Sequence, residues 1–165
     1  MSGGRKTSHG GQILEQVIGA LKLRGFAIRP FDPNERNDVG LFKNETCQKR
    51  WLVKNYPYTT IFGTPGRREW FLESPEWAGQ LECKFQNCGG SVDEKVVYLV
   101  ETLCRTSISS LAVVHGGRYW LEETRGKAII AWLKHEAESV KHHYGKSLLI
   151  FDMDTFFDWV GRTFP

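Results

Sequence analysis

Gln80-Leu81-Glu82-Cys83-Lys84-Phe85-Gln86 is the stretch on which the fold turns, together with Arg68-Glu69-Trp70-Phe71-Leu72-Glu73 just ahead of it. In the first, a strand's period of two puts Leu81, Cys83 and Phe85 on one face and Glu82, Lys84 and Gln86 on the other. In the second, the same period sends Trp70 and Leu72 one way and Glu69, Phe71 and Glu73 the other. Two strands joined through Ser74-Pro75-Glu76-Trp77-Ala78-Gly79 can lie side by side. Glu69 is then expected near Glu82 and Lys84, which gathers two carboxylates and an ammonium on one surface.

Such a group suits metal-assisted cleavage of a phosphodiester. Mg²⁺ takes hard oxygen ligands and is usually held by one or two carboxylates plus waters and substrate phosphate, so no elaborate cage is needed. The expected cofactor is therefore Mg²⁺, with Mn²⁺ able to substitute. A lysine beside the ion orients or deprotonates the attacking water while the metal stabilises developing charge. By itself a Glu-x-Lys tripeptide is most often only a strand face that pairs opposite charges, so its flanks have to decide.

The run from Gly63 to Leu103, GTPGRREWFLESPEWAGQLECKFQNCGGSVDEKVVYLVETL, resembles the PD-(D/E)xK nuclease superfamily, in particular its small phage- and prophage-type members. The shared features are an ExKxQ strand, a Gly-Ser turn and a helix opening on Asp93-Glu94-Lys95. The resemblance implies a three-layer α/β architecture of the restriction-endonuclease-like kind, an αβββαβ core around a mixed sheet. It also implies a Mg²⁺-dependent nuclease acting on DNA, whether single-stranded, duplex or branched. Carried over by position, Glu69 and Glu82 bind the metal and Lys84 orients the water. The Cys83 carbonyl is a further candidate ligand, and Gln86 is placed to touch the phosphate or the water. The first helix of the superfamily often brings a glutamate to the metal, which singles out Glu15; a salt bridge at the core boundary is its alternative. The sequence departs from the pattern at the first acid, where the superfamily usually has Pro-Asp and Glu69 stands here without the proline. Glu73 is the other candidate, but four strand residues separate the two by roughly 13 Å, so only one can join Glu82 on one ion. The alignment selects Glu69.

Composition agrees with a folded domain. The chain has 165 residues, 41% hydrophobic and 13% aromatic, enough for a sizeable core without disulfides or structural metal. Residues 1–11 read as a loose arm and 12–165 as a single domain. Apolar runs are too short to span a membrane, and neither a secretory segment nor CxxC spacing accompanies Cys47, Cys83, Cys88 and Cys104, so free thiols and a cytoplasmic setting are expected. A net charge of +3 permits a nucleic-acid partner without requiring one. Clustering says more: Lys43, Lys49, Arg50 and Lys54 interleave with Trp51 and Tyr56, and Arg67 and Arg68 follow at a corner formed by Gly63, Pro65 and Gly66. Basic residues among aromatics track phosphates and stack bases, although lysines also protect a bare strand edge.

The spacing of Leu14, Val17, Ile18 and Leu21 predicts a helix from about Gly11 to Arg24, stopped by Gly25. Ala27 to Asn44 reads mostly as loop, and Trp51 to Phe62 as extended chain bent at Pro57. Ser91 with Glu94 three residues on is a capping-box pattern opening a helix through about Leu103. Its free amides, with Ser91 and Lys95, form a candidate phosphate seat. Leu111 to Val114 reads as a buried strand turned by His115-Gly116-Gly117, Arg125 to His143 as a helix ending near Gly145, Leu148 to Phe151 as the last strand, and Asp154 as the cap of a final helix. A homodimer is compatible with all of this. The rival function is a non-catalytic nucleic-acid-binding module on the same fold.

Overall fold

The computed structural model describes residues 9–31 and 49–165. The loop expected after Phe31, with Lys43 and Cys47, and the arm before His9 lie outside the described residues. The chain runs α1 (His9–Leu23), β1 (Phe26–Pro30), β2 (Arg50–Thr59), β3 (Pro65–Glu73), β4 (Ala78–Phe85), α2 (Val92–Arg105), β5 (Ser110–Gly116), α3 (Arg118–Leu121), α4 (Thr124–Tyr144), β6 (Ser147–Phe151) and α5 (Met153–Thr163). The six strands form one mixed sheet in sequence order. The hairpin side is antiparallel, β2 to β3 to β4, and the crossover side is parallel, β4 to β5 to β6.

Helices cover both faces, as the three-layer expectation requires. On one face Val17 and Leu21 of α1 and Phe156 and Val160 of α5 pack on Leu52, Trp70, Leu72, Leu81, Ala112 and Val114. On the other, Val96, Leu99, Val100 and Leu103 of α2 and Leu133 and Val140 of α4 pack on Leu111, Val113 and Leu148. Alternation in β4 holds: Leu81 and Cys83 join the α1–α5 core, and Gln80, Glu82 and Lys84 point under α2.

Four expectations need correction. Ala27 to Pro30 is strand rather than loop, because β1 finds a parallel partner in β2, pairing Phe26 with Arg50 through Pro30 with Lys54, a ladder that no local signal reveals. His115 and Gly116 do not turn the chain; they extend β5 opposite Lys84 and Phe85. Ser91 makes no side-chain capping bond, since the first turn of α2 is anchored instead by the Asp93 carboxylate, which accepts from the Tyr119 hydroxyl at 2.6 Å and pairs with Arg125. Asp152, not Asp154, caps α5, accepting from the Thr155 amide at 2.8 Å.

The feature that positions the site is a break in β2. Its register with β3 is continuous from Trp51–Glu73 to Thr59–Pro65, except that no pairing joins Asn55 to Glu69. Asn55 has φ 58°, the left-handed region that Asn tolerates better than other non-glycine residues. Beyond it the side chains change sides: Lys54 lies over Trp70 on the α1–α5 face, whereas Tyr56 stacks on Phe71 at 4.2 Å on the other. Arg68, which strict alternation would place with Trp70 and Leu72, follows Tyr56 across the sheet. Glycine at 55 should therefore be tolerated and valine should not: Asn55→Gly is expected to keep the melting temperature, while Asn55→Val should cost about 1–2 kcal/mol, measured by chemical denaturation.

Candidate active site

Glu82 sits on the central strand with both carboxylate oxygens occupied by its neighbours two residues away. Lys84 Nζ donates to Oε2 at 2.7 Å, and Gln80 Nε2 donates to Oε1 at 2.6 Å. Gln80 is only 1% exposed, so the amide that holds Glu82 is itself fixed by packing. Sequence reasoning passed over Gln80; its parity with Glu82 and Lys84 was the available signal.

These side chains open into a cavity of about 350 Å³ lined by Arg68, Glu82, Lys84, Glu94, Lys95, Tyr98 and Leu99. Strand β3 supplies Arg68, strand β4 the Glu–Lys pair, and the first turns of α2 the rest. Arg68 is 5% exposed, and its guanidinium carbon lies 3.6 Å from the centre of the Tyr58 ring. Burial lowers the Arg68 pKa, an effect opposed by Tyr58, Glu82 and Tyr98. Tyr58 in turn has its pKa raised, first by burial, against the pull of Arg68, and it hydrogen-bonds Tyr98. At the rim Phe62 is 78% exposed and stacks 6.5 Å from Tyr98, an aromatic platform that the sequence did not single out.

The expected site residues are only partly brought together. Glu82, Lys84, Arg68 and Lys95 share the cavity. Glu69 does not line it: the β3–β4 ladder ends at Trp70–Leu81, one pair short of Glu69 and Glu82, and Glu69 is exposed there. Its charge is felt instead by Cys83, whose thiol is pushed up to about 12 by burial, Glu82 and Glu69. Glu73 stands at the other end of β3, 94% buried, with its carboxylate 2.8 Å from Arg29 Nη2. Glu15 is exposed on α1, whose layer covers the opposite face of the sheet. Lys54 lies over Trp70 on that same opposite face, and Arg67 is exposed on β3. Gln86 follows the last residue of β4, with its amide nitrogen facing the turn at Gly90. Ser91 is exposed just ahead of α2.

For a hard cation the cavity offers two carboxylates, Glu82 and Glu94. Among the described residues no three His, Cys, Asp or Glu side chains gather. One or two carboxylates with waters and a phosphate are what Mg²⁺ ordinarily uses, so the donor chemistry fits such an ion.

A mixed sheet carrying Glu-x-Lys on its middle strand, roofed by the helix that follows, is the architecture of restriction-endonuclease-like proteins. A family model described as the PD-(D/E)XK nuclease superfamily domain matches residues 6–164, and the chain belongs to that superfamily. Comparison with curated proteins and with solved structures gave no match. Membership implies a nucleic-acid substrate and nuclease-type chemistry, and among the described residues no helix is long and apolar enough to cross a membrane.

His115 lies opposite Lys84 in the β4–β5 register, 6% exposed, with Nδ1 unpartnered. Burial lowers its pKa, Asp152 raises it less, and Lys134 lowers it further. Because the folded-state pKa lies below the ordinary value of 6.5, the unfolded chain binds the proton more tightly. The stability from a neutral His115 is complete above that value and is lost as pH falls through the folded pKa. Wild-type melting temperature should therefore drop more steeply between pH 7 and 5 than that of His115→Gln, and parallel profiles would show that another group carries the acid sensitivity.

Proposed function

We propose that this protein is a divalent-metal-dependent nuclease that hydrolyses DNA phosphodiester bonds with an activated water, and that the cavity around Glu82 and Lys84 is its active site. The observation that carries the reading is the Lys84–Glu82 contact of 2.7 Å inside a cavity also lined by Arg68 and Lys95. It pairs an acid with a base beside cations suited to a phosphate. A bound Mg²⁺, or Mn²⁺ in its place, would supply Lewis acidity toward the phosphate.

Glu82 would hold that ion, with the Cys83 carbonyl on the same strand as a further oxygen. Two carboxylates compete for the second acidic place: Glu69, in register with Glu82 just past the last ladder pair, and Glu94, on the cavity wall. Glu15, exposed on α1, would act only through water. Lys84 orients the water and takes or returns its proton, and Gln86 touches the phosphate or that water from the end of β4. Gln80 keeps the Glu82 carboxylate in one orientation. Arg67, Arg68, Ser91 and Lys95 surround the path of the backbone, and Phe62 with Tyr98 offers a face on which a base stacks. Lys54, on the other face, would meet nucleic acid only around the sheet edge.

Occupation of both Glu82 oxygens by protein donors favours a second reading, a nucleic-acid-binding module without catalysis. A cleavage assay on single-stranded, duplex and branched DNA with and without Mg²⁺ separates the two. Lys84→Ala is expected to abolish cleavage while leaving the melting temperature within a few degrees, and Glu82→Gln should lower both Mg²⁺ affinity and rate. Full activity in Lys84→Ala would move the active site away from this cavity, and absence of cleavage by the wild type would remove the nuclease assignment. Glu69→Ala and Glu94→Ala compared side by side identify the second acid as the one whose loss weakens Mg²⁺ binding.

Gln80→Leu keeps the buried volume but withdraws the donor from Glu82. Loss of such a supporting hydrogen bond typically costs about 10–100-fold in metal affinity or activity. The variant should show that loss by Mg²⁺ titration with near-native stability, and unchanged Mg²⁺ affinity would relegate Gln80 to packing.

A further inference from the structure

We propose that Phe62 and Tyr98 form an aromatic clamp for an unpaired base, so that the protein selects DNA that is single-stranded or frayed beside the phosphate it acts on and discriminates against closed duplex. The position of that phosphate rests on the nuclease reading; the capture of an unpaired base does not.

The β2–β3 hairpin outruns the sheet. The last β3–β4 pair is Trp70 with Leu81, whereas β2 and β3 stay paired from Tyr56–Arg68 out to Thr59–Pro65. Beyond Trp70 the two strands therefore form an arm of their own, and Phe62 stands in its tip, 78% exposed. The tip is braced. Thr60 Oγ1 accepts from the Phe62 and Thr64 amides at 3.3 and 3.2 Å, and the Thr60 amide donates to the Thr64 carbonyl at 2.8 Å. Gly63 makes the reversal at φ 75°, a backbone conformation that an L side chain resists. A large apolar ring is thus held in solvent by a built turn, where it adds nothing to either helical layer of the core.

What the ring does face is Tyr98. The two centroids are 6.5 Å apart and the ring planes are inclined by only 23°. Tyr98 is half-buried on α2 and lines the cavity with Glu82 and Lys84. From the arm Tyr58 engages it, and the Tyr58 ring lies so close across Gly66 that a Cβ there would come within 2.5 Å of it. One ring of the pair is in this way fixed to the cavity wall, and the other stands on the arm beside it. Stacked bases are spaced by about 3.4 Å. Two near-parallel rings at about twice that spacing leave the thickness of one base between them, and the exposed Phe62 side chain is free to adjust the gap.

The chemistry of two opposed rings selects the ligand. They offer faces and no base-reading donors, so they hold any base by stacking and none by its edge. In a duplex each base is already covered on both faces and must leave the stack to enter, a cost that an unpaired base does not carry. Because Tyr98 belongs both to the ring pair and to the cavity, a clamped base lies next to the phosphate that Glu82 and Lys84 would act on. The superfamily's nucleic-acid substrate favours a base over an apolar protein segment as the occupant.

Fluorescence anisotropy in excess EDTA tests the clamp without cleavage, using a short thymidine oligonucleotide, an abasic oligonucleotide with the same number of phosphates, and a duplex hairpin. The wild type should bind the thymidine strand about tenfold more tightly than the abasic strand, and more tightly than the duplex. Phe62→Ala, at an exposed position, should keep the melting temperature and abolish the preference for bases, and Phe62→Trp should restore it. Equal binding of the thymidine and abasic strands by the wild type, or a preference that survives in Phe62→Ala, would overturn the clamp and leave Phe62 as a contact for a protein partner. Duplex bound as tightly as the thymidine strand would overturn the assignment to unpaired DNA. A protein that shows the Phe62-dependent preference but cuts no DNA would keep the clamp and lose the nuclease reading. One that cuts single strand and duplex alike, while Phe62→Ala binds both as the wild type does, would do the reverse.

Discussion

Strand β4 is hydrogen-bonded on both edges, antiparallel to β3 and parallel to β5, and that double pairing constrains everything around it. A strand with no free edge presents each side chain to one helical layer or the other. Leu81 and Cys83 enter the α1–α5 core, and Gln80, Glu82 and Lys84 must lie beneath α2. Charges in that position need partners within the protein, because solvent reaches them poorly. The strand supplies its own: Gln80 and Lys84, two residues to either side, meet the two oxygens of Glu82. A carboxylate held this way is oriented before any ligand arrives, which is the usual requirement of a site that acts on charge.

The two buried charges of β3, Arg68 and Glu73, are met by the fold in different ways. Glu73 is answered by Arg29, an ion pair that links β1 to β3 across β2. Arg68, five residues earlier on the same strand, has a ring against its face and no anion. Leaving one buried partner unsatisfied is generally more costly than burying a well-made pair.

Helix α2 forms the roof of that cavity, and it is fastened at both ends. At its start Asp93 ties it to Tyr119 and Arg125. At its finish Lys146 donates to the carbonyls of Leu103, Cys104 and Thr106, the favourable place for a cation on a helix dipole. Between these points Val96, Leu99, Val100 and Leu103 pack on the sheet. The first turn of α2 is in this way held over Glu82 and Lys84 by contacts remote from both.

The sequence by itself determined the strands and helices whose periodicity is local. Alternation in Leu81–Gln86 separated core from chemistry, helical spacing marked α1, α2 and α4, and the ExKxQ strand with its following helix pointed to the superfamily that residues 6–164 match. What the tertiary structure decided was every relation that depends on a partner far along the chain. Strand β1 exists because β2 pairs with it, and Glu73 is structural because Arg29 reaches it. Gln80 matters because its amide meets Glu82 in a buried setting. The placement of Arg68 in the cavity, with Glu69 outside it, follows from the left-handed backbone at Asn55 on the neighbouring strand. A period-two reading assumes that every residue is extended, and one residue with positive φ reverses the faces beyond it. That reversal is a property of the paired strands, so neither strand's sequence alone could carry it.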